Sequence, residues 1–364
     1  MNDKTQLPIE QDNSTAERQS AFRNFIRLWI KGCALLTAVF ATILAIVVYI
    51  PDRNDYSQAS VLKHHRLAEQ VTQKIVLVGG SNLAFGIDST MIQRATGCPV
   101  VNMGMNGYLG VRYMLEEVKP YLKPSDIVVL AFEWDNFFKS IDGTAADLLA
   151  VVKSNQVAFF YLSLKQKFWV ITATPAMAQE KVMRMIAETI TLLKTRVTGR
   201  KDEIQNDEDY LFWDVVLTLR GTSPEGDVVS HLGVDWPYRR KDGQIPMGMP
   251  VEPKMISLMR DFATEMTKRD VSVMVSYTPI MRRFYDRHQS DLSEAHKLIT
   301  ATPPLSAPSP PSAFVFDEPY FFDTVYHMSG EGRTLRTQKL IDDLELQLQG
   351  RGLCFQDNTT TNKE

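Results

Sequence analysis

A serine follows two glycines directly after a run of β-forming residues. The stretch Lys74-Ile-Val-Leu-Val-Gly-Gly-Ser-Asn82 contains four consecutive apolar residues, which predict a strand buried on both faces. Gly79 and Gly80 allow a sharp turn with unusual dihedral angles. Ser81 would then lie at the carboxyl end of the strand, where open α/β sheets bind ligands. Its hydroxyl could act as a nucleophile or contact an anion, and a plain strand-to-helix turn remains the alternative.

A second group of reactive side chains lies near the carboxyl terminus, in Phe322-Asp-Thr-Val-Tyr-His327-Met-Ser-Gly330. A nucleophilic serine needs a base, and the base needs a third group that orients it. His327 could supply the imidazole, and Asp323 could hold its ring if the backbone between them turns back. The order Ser81, Asp323, His327 is permitted because such triads are defined by geometry. The sequence lacks the Gly-x-Ser-x-Gly elbow of α/β-hydrolases, which points to a different serine-hydrolase scaffold.

Strands and helices alternate around these residues, and this alternation predicts a parallel sheet with right-handed crossovers. The predicted strands are 75–78, 99–102, 126–132, 271–277 and 314–316. The predicted helices are 88–96, 110–122, 282–299 and 330–348. A linker rich in Pro, Ser and Ala, 302–312, should contain no helix.

Residues 138–255 do not fit the alternation and are interpreted as an insertion that covers one side of the sheet. Within it, 158–198 is predicted to be mostly helical and 221–253 mostly loop. The insertion could shape a cleft or lid, or meet a partner protein. Its segment Gly226-Asp-Val-Val-Ser-His231 holds an acid and an imidazole near a turn, either as a surface loop or as a substrate contact.

An uncharged segment near the amino terminus, 32–50, is about 28 Å long as a helix, which matches the hydrocarbon thickness of a membrane. A cleaved signal peptide is disfavoured because the run is long and Val-Tyr-Ile-Pro51 lacks a small-residue cleavage pattern. Basic residues precede the segment and acidic residues follow it, so the positive-inside rule places the amino terminus in the cytoplasm and everything after Pro51 outside.

These features predict five consecutive segments along the chain. They are a disordered cytoplasmic tail (1–28), a transmembrane anchor (29–50), a polar, partly helical stalk (51–72), the α/β domain (73–348) and a disordered tail (349–364). In the stalk, His64-His65 is predicted to be a solvated pair rather than part of a metal site.

Composition limits the possible partners. The 364 residues carry a formal net charge of −3, which argues against nucleic acid as a partner. Three cysteines do not make a disulfide scaffold. Cys98 and Cys354 could pair in an extracytoplasmic domain, and two free, partly buried thiols are equally compatible with the sequence.

Four blocks in this order resemble the SGNH/GDSL hydrolase superfamily. The blocks are Val78-Gly-Gly-Ser81-Asn, Asn102-Met-Gly104-Met-Asn-Gly107, Glu133-Trp-Asp-Asn136 and Asp323-Thr-Val-Tyr-His327. The resemblance covers about 73–137 and 270–348 and does not extend to the insertion. It implies a flavodoxin-like three-layer α/β/α sandwich with a central parallel sheet, preceded in this chain by one N-terminal transmembrane helix.

The resemblance also implies roles for individual residues. Ser81 would be the nucleophile, His327 the general base and Asp323 the third member of the triad. The oxyanion hole would consist of the N–H groups of Ser81 and Gly107 and the side-chain amide of Asn136. Gly104 and Asp135 are the alternatives for the last two donors.

The function implied is a membrane-anchored SGNH-type serine esterase or O-acyltransferase. It would act on acetyl-type esters of an envelope or exported glycan, or on a small ester, on the periplasmic or extracytoplasmic side of the cytoplasmic membrane. A membrane acyl-transfer protein would be a partner, and no metal or organic cofactor is required. The alternative is a catalytically inactive SGNH-like domain that binds glycan or scaffolds a polysaccharide-modification assembly.

Overall fold

The computed structural model describes residues 13–49, 56–69, 73–198, 219–234, 250–348 and 354. The chain divides into two units. Residues 1–51 and 174–188 belong to the first, and residues 52–173 and 189–364 belong to the second. The second unit therefore contains every residue to which the sequence assigns chemistry.

The first unit contains helix α1, Asn13–Tyr49. Its segment Glu17–Val48 is long and apolar enough to cross a membrane, so the chain has a candidate membrane helix near its amino terminus. The predicted disordered tail is wrong for residues 13–28, which are helical. This part of α1 lacks Gly and Pro, so a helix formed in the apolar segment extends into it at little cost. Residues 1–12 lie outside the described residues.

Four parallel strands form the main sheet, in the order β2-β1-β3-β4. They are β1 (Ile75–Gly79), β2 (Val100–Asn102), β3 (Ile127–Ala131) and β4 (Ser272–Val275). In β1, Ile75 pairs with Val100 on one side and with Ile127 on the other. Every residue of β1 and β3 is buried, as the continuous apolar runs predicted. The predicted α/β class with a parallel sheet is confirmed.

The predicted strand at 314–316 does not join this sheet. Strand β6 (Val315–Phe316) pairs in parallel with β5 (Ile280–Met281) in a separate two-stranded sheet. Between β4 and β5 stands Pro279, which has no N–H to donate to a ladder. The chain leaves the main sheet at this point, and the later strand pairs with β5.

The second unit contains helices before, between and after these strands. They are α2 (Ala59–Glu69), α3 (Ser81–Gly86), α4 (Ser89–Thr96), α5 (Val111–Val118), α6 (Trp134–Phe138), α7 (Ala145–Ser154), α8 (Ala158–Tyr161), α9 (Leu164–Thr198, which also enters the first unit), α10 (Pro253–Lys268), α11 (Arg282–Thr300) and α12 (Gly330–Leu348). Short 3-10 helices span Tyr56–Gln58, Gly107–Leu109, Lys119–Tyr121, Leu219–Gly221, Pro311–Phe314 and Glu318–Tyr320.

One buried core joins the sheet to α4 and α12. It contains Ile75 and Leu77 of β1 and Val129 of β3, together with Ile92 of α4 and Leu340 of α12. Burial of such side chains stabilises each by about 1.5–3 kcal/mol. This core holds the helix after the second reactive segment against the strand that precedes Ser81.

The predicted stalk is wrong for residues 56–69, because α2 packs into the domain. Its buried residues, Ala59, Ser60, Lys63, His64 and Leu67, recur at helical spacing and form one face. The polar members of that face have partners, which makes their burial possible. Lys63 Nζ donates to the carbonyl of Asn102 at 2.8 Å and to that of Gly226.

The two adjacent histidines of α2 have different environments. His64 is buried and its Nε2 lies 3.0 Å from Glu117 Oε2. His65 is exposed and pairs with Glu69. The prediction of a solvated pair is therefore wrong for His64, whose side of the helix faces the domain.

Cys98, which follows α4, forms a disulfide with Cys354. The sequence left open whether these two cysteines pair. The bridge spans a sequence separation of 256 residues and ties the segment after α12 to the start of β2. Cys33 is a free cysteine in α1.

Candidate active site

The site lies where the strand order reverses between β1 and β3. From β1 the chain crosses to β2 on one side of it, and then returns past β1 to reach β3 on the other side. Open α/β sheets bind ligands at such a switch point, outside the carboxyl ends of the strands. Ser81 begins α3 directly after β1, and Glu133 precedes α6 directly after β3.

Two glycines after β1 permit close approach of neighbouring backbone. A Cβ at Gly79 would overlap the carbonyl oxygen of Ala131, and a Cβ at Gly80 would stand 2.8 Å from the nitrogen of Gly107. Gly80 itself has φ −90°, which any residue can adopt. The glycines are thus needed for space, and the unusual dihedral angles expected from the sequence do not occur at Gly80.

The hydroxyl of Ser81 donates a hydrogen bond to Glu133 Oε1, at 2.8 Å. The backbone N–H of Asn82 donates to the same oxygen at 3.2 Å. The other oxygen, Oε2, occupies the space that a Cβ at Gly107 would need. One carboxyl group therefore fills the junction between the turn after β1 and the turn after β2.

Glu133 is only 8% exposed, and this burial raises the pKa of its carboxyl above the ordinary value. The hydrogen bond from Ser81 and the charge of His327 act in the opposite direction. Sequence reasoning placed Glu133 in the third block but gave it no role. The signal was its position, as the first polar side chain after the strand that neighbours β1.

The Asp323–His327 segment forms a closed turn. His327 Nδ1 lies 2.8 Å from Asp323 Oδ1, and the backbone N–H of His327 donates to Thr324 Oγ1 at 3.1 Å. The N–H of Phe322 donates to the carbonyl of His327, which closes the turn from the other end. The backbone turns back between the acid and the imidazole, as their pairing requires.

Stacking brings His327 close to α3, the helix that begins at Ser81. Its ring lies on that of Phe85, with centroids 4.0 Å apart and planes 6° from parallel. Phe85 stands four residues after Ser81 in α3, so both side chains leave the same side of the helix, with Cβ atoms about 6 Å apart. In the part of the chain that the structure describes, the Ser81 hydroxyl bonds to Glu133 and not to His327.

The predicted oxyanion donors differ in their placement. The Asn136 amide donates to the carbonyl of Gly107 at 3.1 Å, which differs from the expectation that it faces a reacting ester. The N–H of Gly104 donates to Asn102 Oδ1, so this alternative donor is already engaged. Asp135 accepts from Tyr326 Oη at 2.9 Å. Ser81 and Gly107, whose backbone N–H groups are the other predicted donors, both lie next to the Glu133 carboxyl.

The insertion reaches the same region through two buried side chains. Asp227 accepts hydrogen bonds from Ser89, Asn102 and Arg333, at 2.6 to 2.9 Å. Because both side chains are buried, the surface-loop interpretation of 226–231 is wrong. The hydrogen bonds to Asp227 compensate the burial of its carboxylate.

His231 also contacts Phe85. Its Nε2 lies 3.1 Å from the Met328 carbonyl, and its ring centroid is 4.9 Å from that of Phe85. Burial lowers the pKa of His231 to about 4, so the ring is neutral at neutral pH. The substrate contact considered from the sequence is not tested by this placement.

Two residues from distant parts of the chain complete the surroundings of Glu133. Arg336 of α12 donates to Asn82 Oδ1 at 2.7 Å, and burial lowers the pKa of its guanidinium to about 9. Tyr56 packs against the cluster around Phe85, and burial, with the charge of Glu133, raises the pKa of its hydroxyl. Sequence reasoning missed both because neither lies in a recognisable motif.

Within the described ranges, no group of three or more His, Cys, Asp or Glu side chains is placed to hold a metal ion. A scan against protein-family models and a search of curated proteins found no match to this chain.

The geometry suits acyl transfer, since a hydroxyl, a carboxyl and an oriented imidazole converge at one edge of the sheet.

Proposed function

We propose that this protein is a membrane-anchored SGNH-type serine esterase or O-acyltransferase with Ser81 as its nucleophile. The observation that carries the proposal is the hydrogen bond from Ser81 to a buried carboxyl at the β1–β3 switch point. An imidazole held by Asp323 stacks on Phe85, one helical turn from that serine. A hydroxyl next to proton-accepting groups is the arrangement that acyl transfer requires.

The reaction is the transfer of an acyl group through Ser81. The Ser81 oxygen attacks an ester carbonyl, gives up its proton and forms an acyl-enzyme. His327 is the general base that the family resemblance implies, with Asp323 orienting its ring. The N–H groups of Ser81 and Gly107 bind the oxyanion, and loss of one such donor typically costs about 3 kcal/mol. Water or a sugar hydroxyl then receives the acyl group.

We also propose the fold that the family resemblance implies and the compartment that the charges around the apolar segment imply. The strand order β2-β1-β3-β4 supports a flavodoxin-like three-layer α/β/α sandwich. Basic residues before the apolar part of α1 favour a cytoplasmic amino terminus and a periplasmic or other extracytoplasmic domain. The Cys98–Cys354 disulfide supports that placement, because disulfides persist in oxidising compartments.

The substrate class that we propose is an acetyl-type ester on an envelope or exported glycan. The candidate membrane helix would hold the domain next to such glycans and to a membrane-bound acyl donor. This choice rests on analogy with SGNH proteins of similar layout.

A non-catalytic glycan-binding domain is the second candidate, and one observation favours it. The Asn136 amide donates to the Gly107 carbonyl at 3.1 Å, so this predicted oxyanion donor is already engaged. A domain of this kind would bind an acylated glycan without cleaving it.

The decisive experiment compares turnover in the wild type and in Ser81→Ala. The full-length protein in detergent is given p-nitrophenyl acetate or an acetylated glycan, with Ser290→Ala as the control at an exposed serine. We expect Ser81→Ala to abolish turnover and Ser290→Ala to leave it unchanged. A wild type no faster than Ser81→Ala would contradict catalysis. Glycan binding by both proteins, measured by calorimetry, would then support the second candidate.

A further inference from the structure

We infer that Glu133 is the general base that accepts the proton of Ser81. This inference rests on the proposed function, acyl transfer through Ser81, and changes one role in it: the base is a carboxylate in place of the imidazole that the family resemblance implies. The active pair would be a serine and a glutamate, held at the ends of adjacent strands.

Hydrogen-bond geometry is the first support. A general base must lie within about 2.6–3.2 Å of the atom whose proton it takes. The Ser81 oxygen lies 2.8 Å from Glu133 Oε1, and the Asn82 N–H fixes the same carboxyl oxygen from the backbone. His327 has no hydrogen bond to Ser81 among the described residues.

The small number of direct partners of the carboxyl is the second support. A buried carboxylate costs free energy unless an ion pair or several hydrogen bonds compensate it. In the described part of the chain, Glu133 forms no ion pair within 4 Å and accepts hydrogen bonds only from Ser81 and Asn82. A neutral glutamine could accept both bonds as well, so the negative charge adds only the attraction of the carboxylate to Arg336 and His327, neither of which forms an ion pair with it.

Burial also brings the carboxyl closer to the strength that a base needs. An exposed glutamate is a weak base, and efficient bases have a pKa near the working pH. Burial raises the pKa of Glu133 in that direction. The titratable groups that face it are Tyr56, Asp135, Tyr326, His327 and Arg336.

This one carboxyl can accept and return every proton that the reaction transfers. Ser81 Oγ bonds to the carbonyl carbon, its proton moves to Glu133 Oε1, and the carbonyl π electrons move to oxygen. As the tetrahedral intermediate collapses, the bond to the leaving alcohol breaks and that alcohol takes the proton from Glu133. Water or an acceptor hydroxyl next gives its proton to Glu133 and attacks the acyl carbon. Glu133 finally returns the proton to Ser81 as the ester bond breaks.

Fluorophosphonate labelling of the full-length protein tests the inference, because fluoride leaves without a proton and the rate reports on the base. We expect Glu133→Gln to slow labelling of Ser81 by about 100-fold or more and to remove the acid limb of its pH dependence. Glu117→Gln is the matched control, since Glu117 is a buried carboxyl bonded to His64 outside the site. The thermal midpoint of Glu133→Gln should equal or exceed that of the wild type at neutral pH.

His327→Gln provides the second measurement. If Glu133 is the base, this variant keeps the acid limb of the labelling rate, because the group that titrates is still present. Loss of that limb in His327→Gln, with Glu133→Gln labelled within about threefold of the wild type, would overturn the inference and leave the proposed function intact. A wild type that is not labelled at Ser81 would overturn both.

Discussion

At the scale of single residues, one carboxyl group fills the junction between the turns after β1 and β2. Glu133 lies between two turns that each contribute a glycine, and its two oxygens occupy the space that side chains at Gly80 and Gly107 would need. The carboxyl is therefore confined by backbone on both sides. Its position next to Ser81 follows from this confinement as well as from the hydrogen bond.

Gly107→Ala should displace that carboxyl, because the new Cβ would overlap Glu133 Oε2. We expect the free energy of unfolding to fall by about 1–3 kcal/mol, together with slower fluorophosphonate labelling of Ser81. Gly330→Ala is the control, since the nearest atom to its added Cβ is 3.6 Å away. Wild-type stability and labelling in Gly107→Ala would contradict the packing described for this junction.

His231 should make stability depend on pH. Burial lowers its pKa to about 4 in the folded protein, whereas the unfolded ring titrates near 6.5. Its contribution is complete above pH 6.5 and is lost as the pH falls to about 4. Over that range the wild type should lose about 3 kcal/mol more than His231→Gln, measured by urea unfolding. Equal losses in the two proteins would show that the ring is not neutral and buried in the folded state.

Sequence reasoning could identify some residues of this site and not others. Ser81 was predictable because an apolar run and two glycines place it at a strand end. The Asp323–His327 pairing also followed from spacing, once the turn was assumed. In contrast, three polar residues follow β3 within five positions, and only the register of α6 decides that Glu133 faces Ser81 while Asn136 faces Gly107.

At the scale of secondary-structure elements, α2 is the clearest difference from expectation. Its polar composition suggested a stalk, since Lys, His and Ser seldom form a buried face. The structure buries three such side chains because each has a hydrogen-bond partner: a backbone carbonyl for Lys63, the Glu117 carboxylate for His64 and the Asn155 amide for Ser60. Local sequence does not reveal these partners, which come from distant parts of the chain.

A pair of leucines on α2 tests whether this helix is part of the domain. Leu67 is 1% exposed and Leu62 is 46% exposed. Leu67→Ala should lower the free energy of unfolding by about 2–5 kcal/mol, because it leaves a cavity, and Leu62→Ala should change it little. The comparison is made by chemical denaturation of the full chain in detergent. Equal, small effects of the two substitutions would restore the stalk interpretation.

The remaining elements show which parts of the fold the sequence pattern predicts and which it does not. Continuous apolar runs predicted β1 and β3 within about one residue, because strands buried on both faces leave a strong signal. The helix at 330–348 was predicted at its observed bounds. Strand β6 was found but assigned to the wrong sheet, since a short run does not specify its pairing partner.

At the scale of the whole molecule, the candidate membrane helix and the disulfide bear on the same question of compartment. The helix was predictable from length and apolar composition. The pairing of Cys98 with Cys354 was not, because a separation of 256 residues gives no local pattern.

Thiol counting tests the proposed extracytoplasmic location. Cells are denatured in detergent with an alkylating reagent, and the intact chain is weighed by mass spectrometry. We expect alkylation of Cys33 alone without reductant, and of all three cysteines after reduction. Alkylation of all three before reduction would place the domain in a reducing compartment and contradict the proposed location.

The most direct measurement of the central claim is capture of the acyl-enzyme on Ser81. The full-length protein is mixed with p-nitrophenyl acetate, quenched in acid after a single turnover, and digested for mass spectrometry. We predict one acetyl group on Ser81 in the wild type and none at that position in Ser81→Ala, with Ser290→Ala acetylated like the wild type. Turnover without acetylation of Ser81, or acetylation of another residue that sustains turnover in Ser81→Ala, would contradict the assignment of Ser81 as the nucleophile.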